Sequence, residues 1–430
     1  MEFPDEATIS AVLDPVEFPH FHDVRYDPPT PELEDTPGAA REAVDALAVD
    51  ALPAGASVAV GVGSRGITDL VPIVEAVVGR LDEHGLSPVV VPAMGSHGGA
   101  TAEGQREVLA AMGITEESLG CPIDARMETV VLGESELGQP VRFGVAALEA
   151  DAVMVVNRVK AHTNFTGPFE SGLTKMSTVG LGKQKGASAI HERALVEGYV
   201  PVLGAAFEVV RREVDLLGGV AIVENFEDRT AEVEGVPASD LPEAETALLE
   251  RAYEYMPTLP YDELDVLVVE EIGKDVSGAG MDTNVIGRYE VLNAEEPESP
   301  DIKRILVLGL TEATHGNGQG IGLADLTTVD VVEELDLDQV YANALTSSSF
   351  SKARLPLALP NDELGLAAAV SGVGPYDPEE ARIAWIRDTG HLSEFRVSPA
   401  LARSAPEHVE VVGRSRLTFE DGEARFEPVE

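Results

Sequence analysis

Residues 57–95 read SVAVGVGSRGITDLVPIVEAVVGRLDEHGLSPVVVPAMG, and their pattern decides the fold. SVAVGVG (57–63) is a short continuous apolar run, as expected of a strand buried on both faces. ITDLVPIVEAVVGRLDEHG (67–85) has apolar residues at helical spacing and stops at Gly85, a residue type that ends helices. PVVVPAMG (88–95) is a second buried strand, and TAEGQREVLAAMG (101–113) a second helix, with Thr101 as its cap. Strand–helix–strand–helix alternation predicts a parallel sheet with helices on its faces.

Outward from this core the same grammar continues. Residues 1–35 are proline-rich and read as short extended pieces with at most one edge strand; residues 37–50 read as a helix. Short strands are expected within 121–145. AVMVVNRVKAH (152–162) is another buried strand. Residues 186–214 read as helix, divided by Gly198 and Pro201, and are followed by the strand GGVAIVENF (218–226) and a helix over 241–256. PTLPYDE (257–263) has two prolines and reads as a linker. A second block follows, with strands LDVLVVEEIG (264–273), RILVLGL (304–310) and ARIAWIRDTG (381–390). Its helices are read over 324–335 and 363–372, and a hairpin closes the chain at Asp421-Gly422. The predicted fold class is therefore α/β, as two α/β domains with mostly parallel sheets, over 1–258 and 259–430.

With 30 Lys+Arg against 76 Asp+Glu the chain carries a formal net charge of −46. Such a charge repels nucleic acid and anionic membranes. The acids are spread along the chain, which suits a halophilic cytoplasm where salt screens self-repulsion. Cys121 is the only cysteine, so neither an intrachain disulfide nor a cysteine-based metal cluster is available. The start lacks a signal peptide, and no apolar run is long enough to span a bilayer, so a cytoplasmic protein is expected.

Against this acidic background, three stretches stand out. The first is Gly61-x-Gly63-x-x-Gly66, between a strand and a helix. A dinucleotide fingerprint also needs an acid at the end of the next strand, and that strand ends Val91-Pro92-Ala93-Met94-Gly95. What remains is a loop at a helix start, in which Gly63, Ser64 and Arg65 can hold an anion. The bland reading is a tight turn with an exposed arginine. The second stretch is Gly95-Ser96-His97-Gly98-Gly99; it places a histidine where α/β sheets build sites, or merely caps a helix. The third, residues 157–191, holds His162, Lys160, Lys175, Lys183, Lys185 and His191. It is either a solvated loop or an anion site beside titratable groups. No H-x-x-x-H spacing, nucleophile elbow or Walker A sequence is present. The residues alone support an anion-binding α/β enzyme that uses histidines as acid and base.

The ordered set Arg65, His97, His162, Lys175 and His191, with separations of 32, 65, 13 and 16 residues, resembles the nickel-dependent lactate racemase family. The resemblance implies two α/β domains with the active site in the cleft between them. It implies a nickel-pincer nucleotide attached covalently at Lys175, with His191 as the nickel ligand and the cofactor's own carbon and sulfurs as the others. Arg65, with Ser64 and Gly63, would contact cofactor or other anions of the site; His97 and His162 would be the paired acid/base residues. The implied activity is racemisation or epimerisation of a 2-hydroxy acid by hydride transfer to the cofactor, with cofactor-synthesis enzymes as partners. Three features depart from the family. Its acid just before the arginine is Val62 here. The segment GPFESGLTK is longer, and the second-domain loop GAGMDTNVIGR lacks the lactate enzyme's Gln and Lys. Lys274, Arg288 and His315 are the candidate substrate contacts that remain in that domain. Two other readings are a nicotinamide-dependent oxidoreductase and a non-catalytic protein that binds the nickel cofactor.

The charge pattern carries its own prediction. Far-UV circular dichroism should show the fold weakening as salt is lowered from molar concentration; an unchanged spectrum would contradict the halophilic reading.

Overall fold

A computed structural model describes residues 3–64 and 66–429, with every side chain except that of Thr346. The chain forms two compact units, one over residues 29–256 and the other over 1–28 together with 257–430. Both are α/β. Among the described residues no helix is long and apolar enough to cross a membrane.

The 29–256 unit is built on a five-stranded sheet. Its strand order is Ser87–Pro92, Ser57–Val62, Ala152–Arg158, Leu216–Glu224 and Thr230–Pro237. The first four are parallel, and the last is antiparallel to its neighbour. Alternation along the strands divides the apolar side chains between two faces. Val58, Val60, Val62, Met154, Val156, Val220 and Ile222 pack with Ala40, Ile73, Val74 and Val77 of the Thr36–Asp45 and Leu70–Glu83 helices. Ala59, Val91, Val153, Val155, Ala221 and Val223 pack with Val202, Leu203, Phe207, Leu248 and Leu249 of the Tyr199–Glu213 and Glu243–Tyr255 helices. Each Val, Leu, Ile, Phe or Met among them contributes about 1.5–3 kcal/mol when fully buried. This two-sided burial is why the strands read as unbroken apolar runs.

From Ser57–Val62 the chain winds outward to Ser87–Pro92, and later from Ala152–Arg158 the other way to Leu216–Glu224. The winding reverses between the Ser57–Val62 and Ala152–Arg158 strands. Loops leaving adjacent strand ends diverge at such a switch point and open a crevice. Ser64 leaves one of these strands, and Lys160 and His162 leave the other.

The second unit has a nine-stranded sheet. Its parallel part runs Leu357–Leu359, Leu326–Thr328, Asp301–Val307, Glu263–Val269, Ile383–Ile386. The antiparallel part adds Glu394–Val397, His20–Tyr26, Val409–Glu420 and Glu423–Pro428. Here too the winding reverses, between Glu263–Val269 and Ile383–Ile386. The structure corrects two expectations. Residues 1–28 belong with the C-terminal block, because His20–Tyr26 pairs with strands from that block on both sides. For the same reason it is an interior strand and not an edge one. Residues 324–335, expected as one helix, form the strand Leu326–Thr328 and the helix Val329–Glu334.

Candidate active site at the carboxyl edge of the five-stranded sheet

The lysine of interest sits in an unusual helix. A short turn, Leu173–Lys175, runs into a π-helical turn, Met176–Gly180, before the Lys183–Glu197 helix. π turns leave carbonyls poorly matched, and they recur at functional sites. Two hydroxyls use those carbonyls here: Ser177 Oγ donates to Leu173 O (2.8 Å) and Thr178 Oγ1 to Thr174 O (3.0 Å). The turn is pinned from outside by Glu245, a fully buried side chain of the Glu243–Tyr255 helix. Its carboxylate accepts from Thr174 N (2.9 Å) and Thr174 Oγ1 (2.7 Å). A Cβ on Gly172 would lie 2.0 Å from Glu245 Oε1, so only glycine fits there. Burial raises the Glu245 carboxyl to about 7.

Lys175 keeps part of its surface open. Its surroundings nevertheless exclude enough water to lower its ammonium to about 8, helped by the Lys160 charge and opposed by Glu170. Glu170 is fully buried. It accepts from His162 N (2.5 Å), Gly167 N (3.0 Å) and Tyr253 Oη (2.8 Å). Burial raises its carboxyl, against those donors and Lys175.

His191 lies on the exposed face of its helix. Its ring is lowered to about 4, first by loss of water and then by Lys175. The imidazole is therefore neutral at pH 7. His191 Nδ1 is 3.1 Å from Tyr199 Oη. Tyr199 in turn stacks on Phe165 at 4.7 Å between centroids and lies 6.0 Å from the His162 ring. Tyr199 thus joins the two histidines, and Glu170 ties down the His162 backbone while its charge acts on Lys175. His162, Lys175 and His191 form one connected cluster.

His97 and Ser64 form a neighbouring pair, with His97 Nδ1 2.9 Å from Ser64 Oγ. His97 follows Ser87–Pro92 and His162 follows Ala152–Arg158, with Ser57–Val62 between them. Two strand spacings separate those strand ends, about 10 Å. Gly63 is required by space: a Cβ there would lie 2.3 Å from Asn157 Oδ1. Arg65 lies outside the described residues.

Several charged residues proved structural. Lys183 is fully buried, and its Nζ donates to Pro92 O (2.7 Å) and Gln105 Oε1 (3.1 Å). Gln105 also donates to Gly95 O (3.0 Å) and thereby braces the His97 loop. Lys183 is neither a phosphate contact nor a solvated charge, whereas Lys185 is exposed. In the second unit, Arg288 spends its guanidinium on Leu323 O, Ile302 O and Asp325. It is a strut between loops, which removes it as a substrate contact. His315 is an exposed left-handed residue ending a short 3-10 turn, which argues for the loop-capping role. Lys274 Nζ donates to Gly278 O at 2.6 Å. Glu170, Tyr199, Glu245 and Tyr253 were not foreseen. Glu170 alone left a trace, as a lone acid inside a Gly- and Ser-rich cationic stretch.

Among the described residues no three His, Cys, Asp or Glu side chains come together as a metal-sized group. A metal at His191 would need its other donors from a bound organic group. The residues fit such a cofactor. Lys175 has raised access to the neutral amine that covalent attachment requires. His191 is a neutral imidazole, and with Nδ1–H donated to Tyr199 its Nε2 lone pair would be the one able to ligate a metal.

No family model matches the chain, and no curated protein matches it. Among solved structures it is similar to the lactate racemase apoprotein from Thermoanaerobacterium thermosaccharolyticum. The identity is 12%, over 86% of this chain and 88% of that chain, with a TM-score of 0.48. A likeness at that level decides nothing about chemistry, which rests on the residues themselves.

The lowered Lys175 ammonium has a measurable consequence. Pulse acylation with acetic anhydride, read by peptide mass, should find Lys175 reactivity levelling off above about pH 8. At pH 7.5 it should exceed that of an ordinary lysine by ~100-fold per accessible amine, from the difference in neutral fraction. Reactivity that still climbs steeply to pH 10 would contradict the assignment.

Proposed function

We propose that the protein is a racemase or epimerase of a 2-hydroxy acid that uses a nickel-pincer nucleotide. The observation that carries this reading is the cluster in which Tyr199 links His191 to His162 and Glu170 links His162 to Lys175. A water-poor lysine, a neutral histidine and an acid/base histidine are the groups such an enzyme needs, in one place. Lys175 would hold the cofactor covalently, His191 would ligate nickel, and Ser64 and Gly63 would border the bound anion. When bound, the cofactor supplies a site that accepts and returns hydride.

The chain's own task is proton traffic. With Nδ1–H donated to Ser64 Oγ, His97 exchanges protons through Nε2, which fits it to take the substrate's hydroxyl proton. His162 is set differently. Its Nδ1 accepts from Asn164 N (3.1 Å), so in the neutral ring the proton is on Nε2. In that tautomer His162 gives the substrate oxygen a hydrogen bond from Nε2; to transfer a proton there it must first be protonated at Nδ1, and to act as a base there its proton must move to Nδ1, each of which ends the bond from Asn164 N. Two imidazoles, on loops two strands apart, can serve the opposite faces of a planar keto acid. Imidazole exchanges protons most readily near neutrality.

The test is intact-mass and nickel analysis of protein produced alongside the cofactor-synthesis enzymes. A mass adduct should be present, and absent in Lys175→Ala; neither adduct nor nickel in the unmodified protein would overturn the reading. With the adduct in hand, a panel of chiral 2-hydroxy acids should show one that racemises. His97→Ala should slow that reaction by about 10²–10⁴-fold while nickel stays bound. Retained activity would remove His97 from proton transfer.

A further inference from the structure

The second unit holds a histidine that the reading above does not use. His391 is exposed, and its Nδ1 lies 2.9 Å from Asp388 Oδ1 and 2.8 Å from Oδ2. Asp388 is 1% exposed. It also accepts from Gly390 N at 2.7 Å, and Arg387 Nε lies 3.6 Å away. Burying a carboxylate is costly unless its partners repay the lost hydration. Here it is placed directly behind an imidazole. A carboxylate on Nδ1 fixes the tautomer, stabilises the imidazolium and leaves Nε2 to meet a ligand; active-site and metal-site histidines are oriented in the same way.

The location points the same way. The pair lies in the loop leaving Ile383–Ile386, and the neighbouring strand Glu263–Val269 leads into the loop carrying Lys274. The winding of the nine-stranded sheet reverses between these strands, which is where ligands of α/β sheets bind. The two loops pack on each other. Val276 lies against Gly390, where a Cβ would be 3.7 Å from its Cγ1, and Asp282 N donates to Thr389 Oγ1 at 2.8 Å. Rigid packing of this kind holds His391 still without covering it.

We infer that Asp388 and His391 form a small-molecule site in this unit. His391 Nε2 accepts a hydroxyl proton from the ligand, and the Lys274 ammonium on the adjoining loop attracts its carboxylate. The ligand class is a hydroxylated carboxylate; this part rests on the proposed 2-hydroxy acid activity. With Arg288 committed elsewhere and His315 in a capping position, His391 is the second-unit group suited to that ligand. The bland alternative is that Asp388 merely shapes the 388–391 turn and His391 is a passive surface residue.

Histidine-selective nitrogen NMR on the full chain decides between them. His391 should be assigned through His391→Gln and observed as the Nδ1–H tautomer. Asp388→Asn should change that tautomer balance. Adding lactate, tartrate or malate should shift the His391 resonance saturably with at least one of them, and glycerol should not. The affinity should fall about tenfold or more in Asp388→Asn, the worth of a charge-assisted contact. A His391 resonance unmoved by all three acids, or a tautomer indifferent to Asp388→Asn in a folded protein, would overturn the site. Lys175→Ala should leave the His391 shift intact. No adduct and no nickel in the unmodified protein, with a persisting His391 response, would therefore defeat the racemase reading alone.

Discussion

The buried Glu170 carboxylate is the constraint on which the candidate site depends. Removing a carboxylate from water costs several kcal/mol unless donors replace the lost hydration. Glu170 finds them in two backbone N–H groups of its own loop, at His162 and Gly167, and in the Tyr253 hydroxyl from a helix far along the chain. Meeting those demands fixes the loop that carries His162. It also places one negative charge beside Lys175, whose ammonium is otherwise opposed by burial and by Lys160. Glu245 does the corresponding work for the turn that begins at Leu173. Two buried acids from outside the helical turn thus hold the segments on either side of a lysine whose ammonium is lowered chiefly by burial.

This local order is supported by the sheet. Loops from three adjacent parallel strands deliver His97, Ser64 and His162 to one edge, and the segment bearing Lys175 and His191 crosses that edge. Lys183 ties the crossing segment to the strand end at Pro92 and to Gln105 under the His97 loop. The second unit repeats the doubly wound scheme with its own reversal point. The same architectural rule thus gives two switch points of different chemistry, one beside lysines and histidines and the other beside an Asp–His pair.

The legible part of the sequence was the part with strong periodicity. Strands buried on both faces, such as Ala152–Arg158, announce themselves as unbroken apolar runs. The Thr230–Pro237 strand did not, because a sheet-edge strand alternates Glu232 and Glu234 with apolar residues and resembles a loop. The Leu337–Ser347 helix was missed although Leu337, Tyr341 and Leu345 stand at helical spacing; in the fold that apolar stripe is exposed. His20–Tyr26 was demoted because proline-rich flanks hide a strand whose partners lie some four hundred residues away. The candidate site was legible as residue types in order, but its supports were not. Tyr253 meets Glu170 across 83 residues, and Glu245 meets Thr174 across 71. Pairings of that range leave no local signal, and the same holds for the burial that turns Lys183 from an apparent surface charge into a strut.

The central claim is that His191 is the chain's sole metal ligand, in a cluster built to hold an organic nickel cofactor at Lys175. Nickel-edge X-ray absorption on protein made with the cofactor-synthesis enzymes addresses it most directly. A single imidazole nitrogen among the scatterers, lost in His191→Ala, is the predicted result. Two or more imidazoles, or a spectrum unchanged by His191→Ala, would contradict it.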